Sequence, residues 1–147
     1  MLFLGIIGSG LIATTAMTLF LALVHRNHLA NGDMARALGS LITKKEEGSL
    51  GLGLVIHYAA GCFFAVLYHS LVKFAPVDAG PYSVIFICLA AGFFHGLVMS
   101  MFLSILVAEH HPLERFRKAG PDVVIAHLAA HLVYGLTLGT SFYFLIG

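Results

Sequence analysis

The chain reads as an all-α integral membrane protein, a four-helix bundle of two tandem helical hairpins related by a parallel pseudo-two-fold repeat. Three observations predict it: a composition too apolar for water, four uncharged stretches of spanning length, and a signature that recurs in both halves. Of 147 residues, 59% are hydrophobic and 10% charged, with a mean hydropathy of +0.95, far from the balance of a soluble domain. The lipid bilayer is therefore its first partner. The apolar stretches cover roughly 2–24, 50–72, 83–108 and 123–146, each near the ~20 residues that carry a helix across about 30 Å of hydrocarbon. The fifteen Asp, Glu, Lys and Arg residues fall outside these stretches or at their edges.

Taken in order, the first stretch starts at Leu2 with no basic segment before it and no polar cleavage site, which predicts a retained helix. In the loop after it, DMARALGSLI puts Met34, Leu38 and Ile42 on one helical face, with Asp33 as N-cap. This spacing predicts an interfacial helix over roughly 33–42. The second stretch contains HYAAG, and Pro76, Asp78, Gly80 and Pro81 then mark a tight turn into the third. The third ends at Glu109, His110, His111 and Pro112, read as a solvated helix terminus whose imidazoles favour the negative end of the helix dipole. Residues 112–118 follow as a second candidate interfacial segment through Leu113 and Phe116, before the fourth stretch with HLVYG. Without low-complexity linkers, residues 1–147 form a single membrane domain.

Charge sets the expected orientation. Arg26, Arg36, Lys44 and Lys45 lie in the first loop and Arg115, Arg117 and Lys118 in the third, against Lys73 alone on the other side. Both basic loops are expected to be cytoplasmic and both termini outside the cell, in a plasma membrane. The formal net charge of +1 gives no reason to expect nucleic acid as a partner. Cys62 and Cys88 fall within the helices as small apolar residues. No CxxC, phosphate-binding glycine loop, HExxH or nucleophile elbow occurs.

The repeat appears when the first and third stretches are aligned. GLIATTAMTLFLAL from Gly10 and GFFHGLVMSMFLSI from Gly92 match at Gly10/Gly92, Met17/Met99, Thr18/Ser100, Phe20/Phe102 and Leu21/Leu103. Helices two and four share His-x3-Gly, as His57 and Gly61 in one and His131 and Gly135 in the other. A two-fold axis along the membrane normal then relates diagonal helices, and His57 and His131 face each other at one depth.

Several readings fit these histidines. His57 and His131, each with a glycine one turn on, suit bis-His ligation of haem b in a small redox subunit. His57, His95, His127 and His131 together suit a transition-metal centre of copper, iron or zinc, which Glu109, His110 and His111 join only if that helix end bends inward. The same imidazoles also suit a proton or metal-ion path. A plainer reading makes them structural, bonded across helices to Thr14, Thr15, Thr18 or Ser100. The runs Gly92/Gly96 and Gly135/Gly139 favour close helix approach over a wide cofactor slot. Without a nucleophile–base pair, a carboxylate pair or a phosphate cradle in the span, an independent enzyme is not expected. A subunit of a larger membrane complex, either redox or cofactor-free scaffold, is.

GLIATTAMT, GDMARALGS, HYAAG and HLVYGLTLG together resemble the pattern of a family of small four-helix bacterial and archaeal membrane proteins of unknown function. The resemblance touches both halves. It implies the fold, an inner-membrane location and the importance of His57, Gly61, His131 and Gly135, and it implies no reaction. His95, His127 and EHHP stand outside that pattern.

Overall fold

The computed structural model describes residues 1–75 and 80–146. Among them are α1 (Leu2–Arg26), α2 (Met34–Thr43), α3 (Ser49–Phe74), α4 (Pro81–Phe102), α5 (Ala108–His110) and α6 (Pro121–Ile146), and no strand. A π-helical segment, Leu103–Val107, joins α4 to α5, and a 3-10 turn, Glu114–Phe116, replaces the interfacial helix expected after Pro112. Four segments, Leu2–Arg26, Ser49–Phe74, Pro81–Ile105 and Pro121–Ile146, are long and apolar enough to cross a membrane. Pro76 and Asp78 of the expected turn lie outside the described residues. Pro81 opens α4, where its missing N–H would have had no helical partner anyway.

The burial pattern is that of a lipid-embedded bundle. Phe63, Phe74, Phe86, Phe94, Val98 and Phe144 are exposed on the outer surface, an apolar rim far too extensive for water. The buried stripes are narrow and made of small residues. In α4 they are Val84, Cys88, Gly92, Gly96 and Ser100, and in α3 Ser49, Gly53, His57, Gly61, Ala65 and Tyr68. A repeat close to every fourth residue keeps them on one face of each helix. In lipid, where burial of apolar surface gains little, such faces hold helices together by close van der Waals approach.

The helices pack in the cyclic order α1, α3, α4, α6, with α4–α6, α1–α6 and α1–α3 in extensive contact and α3–α4 meeting at few points. Helices α1 and α4 thus stand diagonally, as do α3 and α6. An unbroken two-fold would make the α1–α6 and α3–α4 contacts alike, and they differ. At the α4–α6 seam, a side-chain carbon on Gly92 would come within 2.6 Å of the His131 carbonyl oxygen, and one on Gly139 within 2.8 Å of the Ile85 Cα. At α1–α3, Gly10 meets Ala65 and Cys62 in the same way.

Helix α2 forms as expected, but it leans on α3 instead of standing apart. Gly39 and Gly53 face each other so closely that a side-chain carbon on either would touch the other's backbone nitrogen, at 2.9 and 3.0 Å. Asp33 occupies the N-cap position, yet its side chain makes no cap bond. Its carboxylate instead accepts from Arg115 at 2.8 Å and lies 3.3 Å from Arg36, and Arg115 also reaches Glu46 at 3.1 Å. The expectation of a solvated EHHP terminus is overturned at His111, which is fully buried. Leu113 N–H donates to its Nδ1 at 3.0 Å, which leaves Nε2–H to donate to the Ala37 carbonyl at 3.1 Å. The two basic loops are thereby tied to each other over the end of the bundle.

Candidate intramembrane binding site

Beneath α2, where α3 and α4 part, lies a cavity of about 260 Å³. Its polar groups come from His57, His95, His131, Thr14 and Tyr134, and its apolar walls include Met17, Met34, Phe64 and Met99. Exposed Ala60 of α3 also lines it, so the cavity reaches the side of the bundle. Leu103, the first residue of the π-helical segment, lines it as well, and such segments often re-aim helices beside functional sites.

Each imidazole is set differently. His131 on α6 is buried, and its Nδ1 lies 2.7 Å from the His127 carbonyl. A carbonyl oxygen only accepts, so Nδ1 carries the hydrogen and Nε2 of the neutral ring keeps a lone pair. His127 makes the same bond to the Val123 carbonyl at 2.8 Å. His95 reaches from α4 to α3, where its Nδ1 meets the Tyr68 hydroxyl at 3.1 Å and its ring stacks on Phe64 with centroids 3.8 Å apart. It also meets His131 edge to face at 4.6 Å. His57 on α3 makes no hydrogen bond through its ring nitrogens among the described residues.

The expected site residues are thus divided. His57, His95 and His131 line the same cavity. His127 lines a separate small cavity with His111 and Phe116, so the four-imidazole centre is not assembled. Among the described residues no three His, Cys, Asp or Glu side chains are placed to hold one metal ion. The space beside each glycine is already filled. Gly61 is packed against the Thr14 side chain and Gly135 against the Cys88 carbonyl. A porphyrin there would have to displace Thr14 and part α4 from α6.

The hydroxyls do not serve the histidines either. Thr14 and Thr18 bond back to the Gly10 and Thr14 carbonyls at 2.7 Å, and Thr15 to Leu11 at 2.8 Å, the usual competitor for short hydroxyls in helices. Thr15 also meets the Tyr58 hydroxyl at 2.9 Å, and Ser100 is buried without a partner among the described residues. A further polar bond between helices, beside Tyr68–His95 and Thr15–Tyr58, is Tyr134 O–H to the Gly61 carbonyl, 2.6 Å.

Sequence reasoning passed over Met17, Met34 and Met99 as wall residues, and Tyr68 as the partner of His95. The signal for two of the methionines was the Met17/Met99 match between the first and third stretches, since His57, His131, Met17 and Met99 line one cavity. Extending the His57, Gly61 stripe by further turns reaches Ala65 and Tyr68. Comparison of the chain with protein-family models, with curated proteins and with solved structures found no match, and the reading of the site rests on its own geometry.

Proposed function

We propose that this protein binds a small, neutral, lipid-soluble molecule carrying a hydroxyl group, of the phenol or hydroquinone kind, in the cavity between α3 and α4. The observation that carries the reading is the 2.7 Å contact of His131 Nδ1 with the His127 carbonyl, from which the tautomer follows. With Nδ1–H held by the His127 carbonyl, the ring offers an acceptor to the cavity and no donor, so the complementary ligand supplies an O–H. The rest of the site agrees. A volume of about 260 Å³ exceeds an apolar cavity of ~150 Å³ that takes up benzene, and it sits at the lower end of small-molecule pockets. Mostly apolar walls with a few convergent polar groups are what such sites consist of. Adaptable methionines suit a ring of variable substitution. The open side toward lipid gives a partitioned ligand a path that avoids water.

The test is equilibrium binding of 2-naphthol and of naphthalene to protein purified in mild detergent, followed by fluorescence. Wild-type protein is expected to prefer 2-naphthol by about tenfold, the ~1.4 kcal/mol of one well-placed hydrogen bond. His131→Leu is expected to bind the two alike. Equal binding of both by wild-type protein, or no binding of either, contradicts the proposal.

A further inference from the structure

His57 borders more than the central cavity. It also lines a cavity of about 320 Å³ shared with Thr18, His25, Asp33 and Met34. His25 in turn lines an open surface depression with His28, Asn31 and Asp122 at the end of the bundle that carries the basic loops. The three hollows thus share wall residues in sequence, His25 between the outer two and His57 with Met34 between the inner two.

The imidazoles on this series differ from those of α6 in one chemical respect. The rings of His25, His28 and His57 make no hydrogen bond to protein among the described residues, whereas Nδ1 of His127 and of His131 is held by a carbonyl. An imidazole relays a proton by accepting it at one nitrogen and releasing another from the second. The free rings can do this through both nitrogens, and the held rings cannot without giving up a backbone bond. The carboxylate of Asp122 is exposed at the outer end. Past the central cavity the core is filled by Tyr68, Tyr134, Leu138 and Phe142, all buried.

We infer that the intramembrane imidazoles are served by a one-sided aqueous proton-access route, running from Asp122 and His28 through His25 to His57 and ending in the central cavity. A proton taken from water at one nitrogen of His25 releases the proton on the other toward His57, which repeats the exchange, so atoms and charge balance at each ring. The route stops at the cavity, so it exchanges protons with one compartment and conducts none across the membrane. It does not depend on the identity of the ligand.

The test is cysteine accessibility in the background Cys62→Ser, Cys88→Ala, with a membrane-impermeant trimethylammonium methanethiosulfonate and sealed vesicles of both orientations. Thr18→Cys and His57→Cys are expected to react from the loop side only, and Val98→Cys, exposed on the lipid-facing surface, to stay unlabelled. Adding His25→Trp is expected to abolish labelling at Thr18→Cys. Labelling from both sides, labelling no faster than at Val98→Cys, or labelling unchanged by His25→Trp overturns the route. Thr18→Cys decides the matter if His57→Cys does not fold, because Thr18 lines the middle cavity without holding any part of the α3–α4 contact.

Discussion

Helix α4 makes two seams of opposite kind. Against α6 it presents Cys88, Gly92 and Gly96, and α6 answers with Gly135 and Gly139, so backbones touch and no space is left. Against α3 it presents His95 and Met99, and α3 answers with Phe64 and Tyr68, so large side chains bridge a gap that the backbones do not close. On the opposite side of the bundle, α1 and α6 are also in extensive contact. The lesson is that small residues in a lipid-embedded helix decide where a bundle is solid, and that a cavity appears where they are withheld from one side only.

The comparison is broken most severely at the closed seam. Gly135→Val puts a branched side chain onto the Cys88 carbonyl, where no flexible neighbour can yield, and a loss of about 3 kcal/mol is expected, the upper end of overpacking costs. Thermal unfolding in detergent, or loss of monodisperse protein, measures it. A Gly135→Val protein as stable as wild type would mean that the α4–α6 contact is not close.

At the open seam the effects are smaller. Tyr134→Phe removes the hydrogen bond to the Gly61 carbonyl at the floor of the cavity and is expected to cost about 1 kcal/mol, within the range of interhelical bonds in membranes. His95→Leu forfeits the Tyr68 bond at a similar cost of ~1 kcal/mol, while weakening 2-naphthol binding more than stability, because the ring is also a wall of the cavity. Equal losses of stability at Gly135→Val and His95→Leu would erase the distinction between the seams. The smallest change is expected at Arg115→Gln, which unties Asp33 and Glu46 at the loop end. Exposed ion pairs are worth about 0–1 kcal/mol, and the loss should shrink further in high salt.

Much of this was legible in the chain itself. The four spanning helices follow from length and hydropathy, α2 follows from the spacing of Met34 and Leu38, and the closed seam follows from the runs Gly92/Gly96 and Gly135/Gly139. The open seam was not legible, because a deficit of contact between α3 and α4 depends on how far the other three pairings draw each helix. His127 and His131 are one turn apart and share a face by periodicity, yet they line different cavities because α2 and the Glu114–Phe116 turn close over the upper ring. His111 looked like a solvated terminal residue, since nothing in EHHP announces the Ala37 carbonyl seventy-four residues earlier. The threonines looked like partners for histidine, and their own helix carbonyls won by proximity.

The central claim is that His131 presents an acceptor to a hydroxyl-bearing ligand, and nitrogen-detected NMR of histidine-labelled protein tests it most directly. The account predicts a neutral His131 protonated at Nδ1, with an Nε2 resonance that moves on addition of 2-naphthol and stays still with naphthalene. A His131 protonated at Nε2, or an Nε2 resonance indifferent to both compounds, would contradict it.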